Sequence, residues 1–332
     1  MKYYLRRTLR IPATILAVAT LTFGLIRLLP GGPFTQLRIN LLQQGVPAEQ
    51  VDARIEALQN IRPDAPLWQQ YIDYIVGVFQ LDLGQSISLG DPVVAVLARA
   101  LPWTVFLVVT STVLMFVIGV GIGALQAYWE GSRFDKTASG GSIFLMSVPY
   151  YIFAVLFLFF LGFQLGWFPT GDAAARSVEA GFTLPYLRTV LYHAVLPIAA
   201  FTIGGIGSTA LNMRGNSIQV LGEEFVEVAR LRGLSDNRIA TSYVAKNAIL
   251  PMYTGLLLQI GFRLGGTVVL EEIFSYPGLG YYLIQAVNAN DYPLMMGCFL
   301  VITVTLVVAV YVADLTYGLI DPRIRAGDSN AY

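Results

Sequence analysis

The chain has 332 residues, 55% of them hydrophobic and only 13% charged, against about 25% charged in a typical soluble domain. Lysine plus arginine balance aspartate plus glutamate at 21 each, which excludes the basic surface of a nucleic-acid-binding protein. One cysteine, Cys298, and one histidine, His193, exclude an internal disulfide and a His/Cys metal cluster, and both are read as packing residues.

Six stretches are long and apolar enough to cross a bilayer, which takes about 20 residues. The first, Leu9 to Leu29, follows Lys2, Arg6, Arg7 and Arg10. Arg27 interrupts its far end, and no small-residue cleavage site precedes the Leu29-Pro30-Gly31-Gly32-Pro33 turn. It is expected to be a retained anchor rather than a signal peptide. Residues 1–30 form this first unit, and an external segment, 31–100, follows. Within that segment Pro47 opens a helical pattern of Val51, Ile55 and Leu58. Pro66 opens a second pattern of Leu67, Tyr71, Tyr74, Ile75 and Val78, so two short amphipathic helices are expected.

The remaining spans run from Leu101 to Tyr128, Gly141 to Trp167, Val190 to Met213, Ile249 to Ile273 and Leu294 to Leu319. They form a five-helix membrane core, residues 101–320, with a cytoplasmic tail at 321–332. Glycines recur inside them, at Gly119, Gly121 and Gly123, at Gly204, Gly205 and Gly207, and at Gly261, Gly265 and Gly266, where small residues let helix backbones approach in lipid. Thirteen of the basic residues lie at the N-terminus, in the second and fourth loops and in the tail. Lysine and arginine are retained in short cytoplasmic loops, so both termini are expected inside. The expected fold is all-α and polytopic: six transmembrane helices, a long external loop after the first, and a helix in the fourth, cytoplasmic loop.

That loop, within 214–248, is unlike an ordinary connection. Phe225, Val228, Ala229 and Arg232 fall on one helical stripe, and Glu223 and Glu224 stand where the helix dipole favours anions. Gly233 follows as a C-terminal stop, and a second amphipathic run passes Ile239, Tyr243 and Val244 towards Pro251. A short exposed helix of this kind suits a partner's groove.

Here the residues resemble a known family. Glu227-Val228-Ala229, three residues, then Gly233 is similar to the Glu-Ala-Ala loop of binding-protein-dependent ABC transporter permeases. Ala229-Arg230-Leu231-Arg232-Gly233-Leu234-Ser235 and Lys246-Asn247-Ala248-Ile249-Leu250-Pro251 resemble the oligopeptide, dipeptide and nickel branch. So do Arg6-Arg7, Leu81-Asp82-Leu83-Gly84-Gln85-Ser86, Leu165-Gly166-Trp167-Phe168-Pro169 and Phe274-Ser275-Tyr276-Pro277-Gly278-Leu279-Gly280. Asp291-Tyr292-Pro293 and Asp321-Pro322-Arg323-Ile324-Arg325 complete the set. Val228 departs from the general motif, Gly32 stands where the branch often has Asp, and Arg263 occupies a position more often apolar.

The resemblance implies half of a translocation pore in the inner membrane of a prokaryote. A second homologous permease supplies the other half, two ATPase subunits sit beneath, and an external substrate-binding protein delivers the solute. By resemblance the helix from Glu223 to Arg232 is the coupling helix, with Glu223, Glu224, Glu227, Ala229, Arg232, Gly233 and Leu234 as the coupling residues. Peptides are the implied cargo, the alternative being a permease of the same type that imports oligosaccharides or nickel chelates. No cofactor is expected on this chain, and ATP and magnesium belong to the ATPases. Consistently, its lysines are Lys2, Lys136 and Lys246, none after a glycine, so the chain has no phosphate-binding Gly-Lys loop.

A stand-alone secondary transporter would need buried ionisable relays. The available groups are Arg27, Arg263, Glu271, Glu272 and Asp314, and the chain lacks the internal repeat such transporters often carry. Arg263 has two readings. It pairs with Glu271 two helical turns on, or with a carboxylate on the second permease, or else it lines the pore and favours solutes bearing a carboxylate.

Overall fold

The computed structural model describes the backbone of residues 2–27, 35–59 and 65–320, and the regular elements among these residues are helices, with no β-strand. Helices α1 (Lys2–Arg27), α2 (Thr35–Gln43), α3 (Ala48–Gln59), α4 (Leu67–Gln80), α5 (Val93–Tyr128), α6 (Arg133–Ser147) and α7 (Tyr150–Phe157) come first. Then follow α8 (Leu184–Leu221), α9 (Glu224–Leu231), α10 (Asp236–Arg238), α11 (Lys246–Leu264), α12 (Val268–Ile273), α13 (Leu279–Asn288) and α14 (Tyr292–Ile320). The side chains of Arg6, Arg7, Arg10, Arg27, Leu58 and Asp314, the Leu29–Pro33 turn, Arg62 and the tail from Asp321 lie outside what is described.

By length and composition α5, α8 and the described part of α14 can each cross a membrane. A fourth crossing is possible if α6 and the following α7 segment, bent by 89°, count as one. Four of the expected elements differ in detail, each for a local reason. The span from Gly141 to Trp167 is not one helix. Pro149 disfavours helical backbone at the residue before it, and Val148 is extended at ψ 120. The span from Ile249 to Ile273 ends at Leu264, because Gly265-Gly266 is a poor place to continue a helix. The fourth span continues to Leu221, so the loop expected from Arg214 opens with helix. The external segment holds a third helix, α2, whose pattern in the sequence is weak.

The chain forms two compact units. The first comprises residues up to Val105 with Leu264–Glu272 and Tyr276–Tyr311. Val93, Leu97 and Ala100 of α5 pack there against Leu279, Leu283 and Ala286 of α13 and Leu294 and Cys298 of α14. Ala19 and Phe23 of α1 meet Tyr74 and Val78 of α4, with the Phe23 and Tyr74 rings stacked 5.7 Å apart. Leu37 and Leu41 of α2 close on Val51 and Ile55 of α3, each buried side chain contributing about 2 kcal/mol.

Two buried carboxylates organise this unit. Asp291 precedes α14 and accepts hydrogen bonds from Ser86 Oγ (2.5 Å), Ser88 Oγ (2.8 Å), Ser88 N (2.9 Å) and Leu294 N (3.2 Å). Glu271 Oε2 accepts from the Gly280 and Tyr281 amides, at 2.7 and 3.2 Å, in the first turn of α13. Thr104 Oγ1 accepts from Leu279 N in the same turn. Helix starts leave such amides without internal partners, and the two side chains cap them.

The second unit comprises Phe106–Arg263 with Ile273–Ser275 and Val312–Tyr332. Its axis is α8, against which α6 and α7 pack. A Cβ on Gly119 would lie 2.6 Å from Thr209 Cβ, and one on Gly123 would strike the Ala210 carbonyl. Only glycine lets α5 lie this close to α8. Asp135, buried in the first turn of α6, receives both Nε (2.6 Å) and Nη2 (2.8 Å) of Arg214 on α8. Gly131 N and Ser139 Oγ also donate to it. His193 Nδ1 donates to the Gly171 carbonyl at 2.9 Å, a packing contact.

Candidate functional site

Helix α9 is short and sharply two-sided. Val226 and Ala229 face inward and join Ile239 and Val244 in a small core, with Val220, Leu221, Leu234 and Tyr243 against it. The opposite face carries Phe225, Val228 and Leu231, which is 82% exposed. Glu223, Glu224, Glu227, Arg230 and Arg232 are all exposed. Ala229 thus belongs to the inner face, whereas the expected stripe put it with Phe225 and Val228. Phe225 also stacks on Tyr243 at 6.5 Å.

The end of α9 is built by Gly233. Its φ is +72, in the left-handed region that favours glycine. Its amide donates to Arg230 O (2.9 Å) and the Leu234 amide to Ala229 O (3.3 Å), satisfying carbonyls that the helix end leaves free. The chain then turns into α10, a π-helical stretch Ile239–Ala245, and α11. An apolar, charge-bearing helical face is thereby held out on a packed support.

Arg263 sits at the far end of α11. Its guanidinium lies 4.6 Å over the Phe201 ring, and Nη2 donates to Met115 Sδ at 3.0 Å. Gly205 makes room, since a Cβ there would collide with both Met115 Sδ and Arg263 Nη2. Nη1 is buried with no hydrogen-bond partner. The two-turn helical spacing expected between Arg263 and Glu271 is not kept within one helix. Helix α11 ends at Leu264 and α12 begins at Val268, and within the first unit Glu271 Oε2 caps α13.

Further along the same faces lies a polar cleft of about 210 Å³. Thr209, Asn212 and Asn216 of α8 and Met252, Gly255 and Gln259 of α11 line it, with Phe116 of α5 beside them. Asn216 Nδ2 donates to Ala248 O at 3.2 Å. Asn212 and Gln259 are exposed. These carboxamides escaped the reading of the sequence, although polar residues at three- and four-residue spacing inside apolar spans were a usable signal.

Residues 119–326 match a family described as the binding-protein-dependent transport system inner membrane component. The chain belongs to this family. The permease is therefore a multi-pass membrane protein, and α9, Arg263 and every cleft residue except Phe116 fall inside the matched region. It is 32% identical to the dipeptide transport system permease protein of Bacillus subtilis, over 98% of this chain and 98% of that one. It is 30% identical to the oligopeptide transport system permease protein of the same organism, over 97% and 99%. Among solved structures, that of an amino acid ABC transporter with histidines matches at a TM-score of 0.51 and 15% identity. It covers 67% of the permease and 93% of its own chain, and shows the shared fold.

Proposed function

We propose that this permease forms one half of the pore of an ATP-driven importer of peptides. The observation that carries the proposal is the full-length similarity to dipeptide and oligopeptide permeases. A second homologous permease supplies the other half, and an external binding protein brings the peptide. Two separate ATPase subunits bind and hydrolyse ATP with magnesium. They seat the outward face of α9, where Glu223, Glu224, Glu227 and Arg232 surround Phe225, Val228 and Leu231, and where Gly233 and Leu234 fix the exit. Closure of the ATPase pair then moves α9 and its packed support as one piece, and the pore switches between its inward- and outward-open states.

Reconstitution tests this directly. Proteoliposomes holding both permeases and both ATPases, with binding protein and ATP, should accumulate peptide. Omission of any one component should stop uptake, and the purified chain alone should hydrolyse no ATP. Uptake by this chain without ATPases would contradict the proposal.

The proposed orientation, supported by the basic-residue asymmetry, has both termini and α9 in the cytoplasm and α2 to α4 outside. Ile55 is fully buried, so the neighbouring exposed Glu56 is the site to label. On a Cys298→Ala background, Glu56→Cys should react with an impermeant thiol reagent added to intact cells. Asp236→Cys should react only after permeabilisation. Labelling of position 236 from outside would overturn this orientation.

A further inference from the structure

The faces of α8 and α11 that hold Arg263 continue directly into the polar cleft. On α8 the residues Phe201, Gly205, Thr209, Asn212 and Asn216 recur at three- or four-residue spacing, which is one helix face. On α11 the residues Met252, Gly255, Gln259 and Arg263 do the same. Arg263 rests on Phe201 and beside Gly205 at one end, and Asn212, Asn216 and Gln259 line the recess at the other. The whole seam lies in the second unit.

Asn212 and Gln259 are exposed on this seam. Helix α8, which carries Asn212, and helix α5, which carries Phe116, are both apolar and long enough to cross a bilayer. A carboxamide turned toward hydrocarbon without a partner is costly. Polar side chains within membrane segments accordingly face the protein interior or a water-filled cavity. The recess is concave, which suits a transient occupant.

We infer that this seam contacts the peptide in transit, its carboxamides reading the peptide group and Arg263 the terminal carboxylate. The inference rests on the importer reading above and adds the site. A carboxamide carries one acceptor oxygen and two N–H donors, the same pair of functions that a peptide unit presents. Asn212 and Gln259 can therefore bind main chain whatever the side chain. Met252 supplies a deformable apolar wall suited to varied residues. Arg263 Nη1, buried and unpaired, has donor capacity for a carboxylate at the end of the same seam, and guanidinium suits that group geometrically.

The test uses the assembled importer in proteoliposomes, on a Cys298→Ala background, with trialanine as probe. Uptake of trialanine by the unsubstituted complex is measured first, and its failure would count against the importer reading alone. Cysteines are then placed at Asn212 and Gln259. A small water-soluble thiol reagent should modify both, and millimolar trialanine should slow the modification. Absence of modification would mean that lipid or the second permease covers the face, and would overturn the inference. Modification that trialanine leaves unchanged would reduce the seam to a wet surface and would equally overturn it. As a second readout, Gln259→Leu should lower trialanine uptake per ATP hydrolysed by roughly fivefold, the scale of one lost hydrogen bond. Arg263→Gln should lower uptake of trialanine more than that of its C-terminal amide. Equal slowing of both by Arg263→Gln would remove the carboxylate contact.

Discussion

Gly233→Asp should leave the permease in the membrane at normal abundance and abolish transport. A Cβ at Gly233 meets no atom within 4 Å, so nothing in the fold has to move aside. The cost is local. A left-handed residue with a side chain loses about 1 kcal/mol, and a negative charge at the end of a helix adds to it through the dipole. That strain falls on the turn that sets the angle of α9 against Ile239 and Val244. Glu227→Lys complements it, because Glu227 is exposed and its loss disturbs no packing. Its reversed charge should weaken the ATPase contact. The check is peptide uptake at matched membrane abundance for both variants. Normal uptake in both would remove α9 from the mechanism.

Asp135→Ala should have the opposite signature, a loss of the protein itself. Asp135 receives Arg214 through two nitrogens, together with Gly131 N and Ser139 Oγ. Its side chain is 4% exposed and that of Arg214 28%. Removing one partner of a buried pair costs about 3–5 kcal/mol, because the other charge stays behind. Partial exposure of Arg214 places the loss near the lower figure. The purified yield should fall and the thermal midpoint should drop. The double variant Asp135→Ala with Arg214→Ala should recover part of that loss. A double variant worse than the single would show that the pair does not tie α6 to α8 as described.

How much of this was legible in the sequence depended on whether the signal was local. Helix α9 was legible because its stripe, its acidic start and its glycine stop lie within a dozen consecutive residues. The cap on α13 was not, since Glu271 reads as a membrane-embedded charge until the fold brings the Gly280 amide to it. Nor was Asp291, whose partner Ser86 is 205 residues away. These contacts explain motifs that sequence alone could only record. Ser86 and Asp291-Tyr292-Pro293 are joined by a hydrogen bond. Gly278 lacks a side chain because a Cβ would lie 2.5 Å from Thr104 Oγ1. The break at Pro149 and the end of α11 at Gly265-Gly266 were local and readable, but apolar length outweighed them. The expected spacing of Arg263 to Glu271 assumed one helix through both, and the chain breaks between α11 and α12.

The central claim is that the outward face of α9 is where separate ATPase subunits grip the permease. Val228→Cys and Leu231→Cys, each on the Cys298→Ala background, place a thiol on that face without touching the inner core. In the permease expressed without ATPases, both should react rapidly with a water-soluble maleimide. In the full complex both should be protected, while an exposed control at Asp236→Cys is tested in parallel for general access. Equal reaction of positions 228 and 231 with and without the ATPases would contradict the account.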